Sequence, residues 1–347
     1  VTQTLRLDPA EIQPVLDSTL RKHGFVAARA ELCARLFTET SLDGVASHGL
    51  ARFPRFIDYI ERGIVKPHEE PTLIRARGNF ENWDGNLGPG NLNAWACMDR
   101  AVRLAGKHSL AAVSLRNTNH WMRGGTYGLQ AARAGCIGIC MTNTEPNMPP
   151  WGGREPAVGN NPLVIAVPHE PYPVLLDMAM SQYAYGRLET LAAKGEKLPF
   201  PGGFDTGLEL SDAPGAILES GLALPMGYWK GSGLALLIDL CVALLSGGLT
   251  TAEIGRFDEE HAVSQLFVAF DLGQISDPEQ RGRIIREVTG VLRETRPMAD
   301  GDRVSYPGQR TWRRRRENER HGIPVDRGLW DRIRDAASAD PDVTGVA

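Results

Sequence analysis

No G-x-G-x-x-G turn follows a strand-like stretch anywhere in the 347 residues, and no G-x-x-x-x-G-K-[ST] occurs. Both common glycine-rich phosphate cradles are therefore excluded, and a nucleotide would need another architecture. A basic excess is also missing: 38 Lys and Arg against 42 Asp and Glu give a net charge of −4. That leaves no electrostatic case for nucleic acid, and an anionic ligand must be met by local donors. Cysteine is sparse and odd in number. Cys33, Cys97, Cys136, Cys140 and Cys241 lack the spacing of a zinc site or a disulfide framework, so no metal is expected and the thiols read as reduced, in a cytoplasmic chain. The opening VTQTLRLDPAEIQPVL has no basic start and no long apolar run, unlike a signal peptide. One apolar run, 232–248, approaches membrane length, but Asp239 sits at its middle and glycines bound it. A buried core helix is expected there, and no membrane span.

What is present is an ordinary globular composition, 42% hydrophobic and 23% charged, long enough for a large core and two domains. Asp8-Pro9 reads as an N-cap followed by proline at the first helical position. Further helices are expected over 27–42 and 53–62, so residues 1–72 form a helical unit, joined by C-terminal helices over 310–340. From about residue 73 the texture changes. Short apolar stretches at 110–115, 136–143, 163–168, 174–180 and 266–272 alternate with helical patterns at 91–107, 124–134 and 277–295. This predicts an α/β domain over 73–309 with a surface excursion near 195–222. The basic run at 313–318 reads as the solvated face of a helix.

Several polar constellations interrupt this pattern. SHGLAR (47–52) sets Ser47 and His48 on a loop with Arg52 four residues after the histidine. Arginine grips a carboxylate bidentately and histidine exchanges a proton near neutral pH, the pair a 2-oxo acid needs. The equally plain reading is a turn cap and a surface ion pair. NHWMRGG (119–125) puts Asn119, His120 and Arg123 just past a strand, where open α/β sheets place ligands. Asp177, in the apolar VLLDMAM, must find a partner if buried, and it is a candidate to orient a catalytic histidine and keep it protonated. WKGSG (229–233) offers Trp229, Lys230 and two glycines at the start of an apolar helix, either a diphosphate cradle or simply a turn. The amide-rich loops 142–153 and 159–168 are ligand loops or ordinary connections. A Ser47–His48–Asp177 hydrolytic triad is disfavoured, since adjacent residues point apart and no G-x-S-x-G elbow exists. A non-catalytic carboxylate-binding protein would bind the same ligand without turnover.

Assembled in order, SHGLAR, the Asn119-His120 pair, GNNP (159–162) and the lysine ahead of a glycine-rich helix start resemble the type-2 malate/lactate dehydrogenase family, whose nicotinamide site is not a Rossmann fold. NHWMRGG, MPPWG (148–152), LPMGYWKGSG (224–233) and FPRFI (53–57) are similar to the branch of that family that reduces 2,3-diketo-L-gulonate to 3-dehydro-L-gulonate. The resemblance implies an α/β fold, with a mixed sheet of about seven strands flanked by helices and a helical domain from both chain ends. It also implies a homodimer using NADH, with NADPH possible. His48 would be the proton donor, with His120 as the alternative, and Arg52 and His120 would contact substrate together with Ser47 and Asn119. The cofactor side would comprise Thr142, Asn143, the segment Pro173, Val174, Leu175, Leu176, Asp177, Met178 and Ala179, then Trp229 and Lys230, and finally Gly308, Gln309 and Arg310. The last three are found by resemblance alone. Glu145-Pro146-Asn147 departs from the small apolar sequence expected in that branch. Malate, lactate, ureidoglycolate, sulfolactate or a cyclic imino acid stays open as the substrate.

Overall fold

The computed structural model describes residues 3–298 and 303–338. The helical unit begins where the side chain of Asp8 accepts from the Ala10 N–H at 2.8 Å and Glu11 accepts from the Asp8 N–H at 2.9 Å, a reciprocal cap that starts α1 (Pro9–Lys22). α2 (Ala27–Leu42) packs along it, and α3 (Phe53–Glu61) closes the group. Ile12, Leu16 and Leu20 of α1 meet Phe37, Phe53 and Phe56 in one core, with Phe37 and Phe53 edge to face at 5.2 Å. Each such fully buried side chain contributes roughly 1.5–3 kcal/mol. The chain ends meet here: β1 (Thr4–Leu7) pairs antiparallel with a strand at Ile323–Asp326, and Ile323, Val325, Trp330 and Ile333 join the same core.

The larger body is a mixed seven-stranded sheet. In chain order its strands are β2 (Thr72–Arg77), β3 (Phe80–Asp84), β4 (Leu110–Thr118), β5 (Cys136–Thr142), β6 (Leu163–Val167) and β7 (Val174–Met178), and the seventh is β10 (Val263–Asp271), which follows the small hairpin β8 (Gly203–Phe204) and β9 (Leu210–Ser211). The order across the sheet is β2-β3-β4-β10-β5-β6-β7. Only the β3–β4 pairing is parallel. The late strand β10 therefore lies at the centre, between β4 and β5, and β7 forms an edge. The strand at Ile323–Asp326 is β11.

α4 (Gly90–His108) and α5 (Gly125–Arg133) cover one face of the sheet. The excursion carries α6 (Tyr185–Lys194) and α7 (Pro214–Ser220) around a small core of Tyr183, Leu188, Leu198 and Ile217. α8 (Trp229–Ser246) lies on the other face, followed by the short α9 (Thr251–Ile254) and α10 (Leu272–Ile275), then α11 (Pro278–Glu294), α12 (Gln309–His321) and α13 (Arg327–Ser338).

The expectation of a buried core helix at 232–248 is corrected by α8. One face is covered, with Ala235, Ile238 and Val242 packed against Met148, Met180 and Leu266. Leu236, Leu237, Leu240, Leu244 and Leu245 stand in the open, Leu244 at 78% exposure. A helix apolar all round carries no period that could distinguish its covered face from its uncovered one. Asp239, at mid-helix, accepts from the Asn143 side chain at 2.8 Å and from the Thr251 N–H at 2.9 Å, so it ties α8 to the sheet and to the start of α9.

Candidate active site

The SHG loop folds as two short 3-10 turns, Ala46–His48 and Leu50–Arg52, that end on α3. Gly49 between them is obligatory: a Cβ there would lie 2.1 Å from Ser41 Oγ, which accepts from the Leu50 N–H at 2.9 Å. Across from this loop, His120 follows β4, and the rings of His48 and His120 stack with centroids 5.8 Å apart and 22° between planes. Both line a cavity of about 460 Å³ together with Ser47, Arg52, Glu145, Asp177 and Glu260. Loop residues Thr144, Asn147 and Asn160, and Tyr185 at the start of α6, complete much of its wall.

The two histidines differ at their ring nitrogens. His120 Nδ1 accepts from the Met122 N–H at 3.0 Å. That bond leaves the proton on Nε2 and holds His120 as a neutral donor. His48 Nδ1 lies 2.9 Å from Ser47 Oγ, a hydroxyl that can give or take a hydrogen bond, so His48 can hold or release a proton without breaking its contact. Burial lowers the pKa of both rings. For His48 the Arg52 and Arg123 charges add to the lowering while Asp177 opposes it. His120 is pushed well below the ordinary value by burial, then by Arg52, His48 and Arg55. Asp177 does act to raise the His48 pKa, as a carboxylate near a histidine should, but burial outweighs it and the net direction is downward.

Asp177 is held elsewhere. It accepts from the Gly125 N–H at 2.9 Å and lies 3.7 Å from Arg123 Nε. Arg123, almost fully buried, pairs with Asp43 at the end of α2, and Asp43 also receives Arg315 of α12 at 2.8 Å. Arg52 is the contrast: among the described residues its guanidinium has no hydrogen bond or ion pair, and burial lowers its pKa. A half-buried guanidinium with open donors beside two histidines can receive a carboxylate.

A second cavity, about 830 Å³, adjoins the first through Val45, Arg123 and Asp177. Its wall includes Leu175 and Leu176 of the edge strand, the 303–308 segment, and Arg310. Leu175 N–H donates to Pro307 O at 3.1 Å, and a Cβ on Gly308 would come within 3.0 Å of Leu175 N. Neither Arg303 nor Arg310 pairs with a carboxylate among the described residues. The size, the two unpaired guanidiniums and the opening toward His48 fit an elongated anionic dinucleotide.

The sequence-derived candidates separate accordingly. Ser47, His48, Arg52, His120, Asp177, Met178 and Ala179 converge on the first cavity, and Leu175, Leu176, Asp177, Gly308 and Arg310 on the second. Gln309 faces a smaller neighbouring cleft with Arg293 and Arg313. Pro173 and Val174 line neither cavity, and the Pro173 carbonyl accepts from Trp312 Nε1 at 2.9 Å. Asn119 is a buried pin that donates to the carbonyls of Ile64, Leu87 and Gly88. Thr142 and Asn143 are likewise buried: Asn143 donates to Asp239 and to Leu249 O, and accepts from the Ser264 N–H at 2.8 Å. Trp229 and Lys230 lie in the open at the start of α8 and line neither cavity. Gly231 there serves the chain itself, since a Cβ would lie 2.3 Å from Met226 O. Missed altogether were Glu260, Arg55, Tyr185 and the Asp43–Arg315 pair.

The sequence matches, over residues 7–334, the family described as Malate/L-lactate dehydrogenase. The chain belongs to that family of nicotinamide-dependent oxidoreductases of 2-hydroxy and 2-oxo acids. It is 41% identical over 324 residues to the 2,3-diketo-L-gulonate reductase of Citrobacter koseri, covering 93% of this chain and 97% of that one. The reductase of the same name from Klebsiella pneumoniae is 41% identical over 325 residues, covering 93% and 98%. Among solved structures, malate dehydrogenase from Entamoeba histolytica superposes with a TM-score of 0.92 at 25% identity over 97% of this chain and 98% of that one. Sulfolactate dehydrogenase from Methanocaldococcus jannaschii does so with 0.88 at 28% identity over 96% and 97%.

Proposed function

We propose that this dehydrogenase reduces the ketone of a 2-oxo sugar acid with NADH, and that its substrate is 2,3-diketo-L-gulonate, converted to 3-dehydro-L-gulonate. The observation that carries this reading is Arg52, a cavity-lining guanidinium with no hydrogen bond or ion pair among the described residues, next to a stacked histidine pair. Its open donors suit the substrate carboxylate, and holding that group turns the adjacent ketone toward the cofactor cavity. A nicotinamide bound there supplies the hydride. Charge then grows on the ketone oxygen. His120, neutral with its proton on Nε2, donates a hydrogen bond to that oxygen, and His48 delivers the proton. Ser47 Oγ steadies His48 through the 2.9 Å contact. Asp177 and Arg123 shape the passage between the two cavities, and Arg303 and Arg310 take the cofactor's phosphates. The helical unit and the α/β body act as two domains, with the site at their junction.

The reading includes a homodimer and a cytoplasmic location. The exposed leucines of α8 support the first, together with Leu73 and Ile74 of β2, since apolar surface of this extent marks a protein interface. Five unpaired cysteines among the described residues support the second. Light scattering on the wild type should give the mass of two chains, and Leu237→Arg should give one; a wild-type monomer would contradict the dimer.

Initial rates of NADH oxidation across 2-oxo acids, with NADPH in parallel, test the substrate and cofactor together. The proposal expects the highest kcat/KM for 2,3-diketo-L-gulonate with NADH. A preference for oxaloacetate, or for NADPH, would overturn that part of it.

A further inference from the structure

The first cavity has a wall that the reduction itself does not use. Asp177 acts electrostatically on His48, and His48 stacks on His120. Arg52 acts on both histidines and also on Glu145 and Glu260. All of these groups line the same cavity.

Glu260 is only 8% exposed. One of its oxygens accepts from the Glu145 N–H at 3.0 Å, its carboxyl has no other hydrogen bond and no ion pair among the described residues, and the residue lines the cavity. The Glu145 side chain has no hydrogen bond or ion pair among the described residues either, and its charge is felt at Tyr185 across the cavity wall. Beside them, Asn160 accepts from Thr144 Oγ1 and Asn147 Nδ2 through its carbonyl oxygen, which leaves its amide N–H groups for a ligand. Burial raises the Glu260 pKa to about 7, with the neighbouring Glu145 charge adding to the rise.

We propose that Glu145 and Glu260 select the substrate by its tail: they accept hydrogen bonds from the hydroxyls of a 2-oxo monocarboxylate and repel a second anionic group. The inference rests on the 2-oxo acid reading above. With its carboxylate on Arg52 and its ketone at the histidines, a substrate has its remaining carbons in the same cavity, whose lining includes Glu145, Asn160 and Glu260. Hydroxyls there meet carboxyl oxygens and the Asn160 amide. A second carboxylate or a sulfonate would meet the Glu145 carboxylate and, whenever it is ionised, the buried Glu260 carboxylate, an arrangement that disfavours the wrong ligand. The same wall gives an unhydroxylated tail no partner for its buried polar groups, so such a substrate also binds less well.

The experiment is calorimetric binding of 2,3-diketo-L-gulonate, 2-oxohexanoate and 2-oxoglutarate to wild type, Glu145→Gln and Glu260→Gln, with and without NAD⁺, alongside rates of NADH and NADPH oxidation. The wild type is expected to bind the hydroxylated monoanion at least about tenfold more tightly than 2-oxoglutarate, and each glutamine variant to narrow that ratio about tenfold by tightening 2-oxoglutarate. Equal or tighter wild-type binding of 2-oxoglutarate, or an unchanged ratio in both variants, overturns the inference. Should Glu260→Gln not fold, the half-buried Glu145→Gln decides. Binding in the expected order without oxidation of either cofactor supports the inference and overturns only the reductase reading. Turnover with the order reversed does the opposite.

Discussion

Arg123 and Arg52 line the same cavity but have opposite surroundings. Arg123 is locked between Asp43 and Asp177, and Asp43 is shared with Arg315, so helices α2 and α12 are stitched to the start of α5. Arg52 has no such partner among the described residues. The difference teaches that a buried charge in this molecule is structural where the chain supplies its counter-ion and, on the function proposed above, open to a ligand where it does not. Arg123 appeared in the sequence as a candidate to fix its loop or reach the ligand, and Arg52 as a candidate to hold a carboxylate, with a surface ion pair as the alternative. The partners of Arg123, Asp43 and Asp177, lie far away along the chain, out of reach of any local reading.

The comparison can be broken most forcefully at Asp43. Asp43→Ala removes the main counter-ion of the deeply buried Arg123, leaving it the 3.7 Å contact with Asp177, and takes one of two carboxylates from Arg315, and should cost about 3–5 kcal/mol of stability, the size seen when one member of a buried ion pair is removed. Urea unfolding followed by circular dichroism measures this. A loss below about 1 kcal/mol would mean that the knot is not structural.

Next in size is the proton donor. His48→Ala should lower kcat by about 10²-fold or more, with the fold intact, as expected for removing a general acid. Because burial and the neighbouring arginines lower the His48 pKa, the protonated form is lost as pH rises through a value below the usual 6.5. In the wild type, kcat/KM for ketone reduction should therefore fall across that range as pH rises, and the reverse oxidation should gain. The same substitution should flatten both profiles. A profile unchanged in His48→Ala would transfer the proton to another group.

The long regular elements were legible in the sequence because their signals are local. The Asp8-Pro9 cap, the helix over 27–42 and the strand over 136–142 all stand where composition and period put them. β2 was not legible. All six of its residues are exposed, so TLIRAR has no buried face to impose alternation. α8 failed differently, since a helix apolar on every side does not reveal which face the sheet covers. At the site, His48, Arg52, His120 and Asp177 could be chosen by chemistry alone. Asn119 and Asn143 could not be sorted from them, because an asparagine that pins backbone carbonyls and one that binds a ligand look alike until the partners are known. Glu260 sits in an acidic run, Asp258-Glu259-Glu260, where Glu259 pairs on the surface with Arg55 and Arg62 while Glu260 turns inward. Nothing local distinguishes the two neighbours.

The account rests on Arg52 being reserved for a carboxylate. The most direct measurement compares kcat/KM for 2-oxobutanoate and its methyl ester in wild type and Arg52→Ala, with Arg52→Lys as a control for bulk. The wild type should favour the free acid by roughly 10-fold or more, mainly through KM, and that advantage should disappear in Arg52→Ala while stability changes by less than about 1 kcal/mol. A preference for the free acid that survives in a folded Arg52→Ala would contradict the claim and place the carboxylate on another cation.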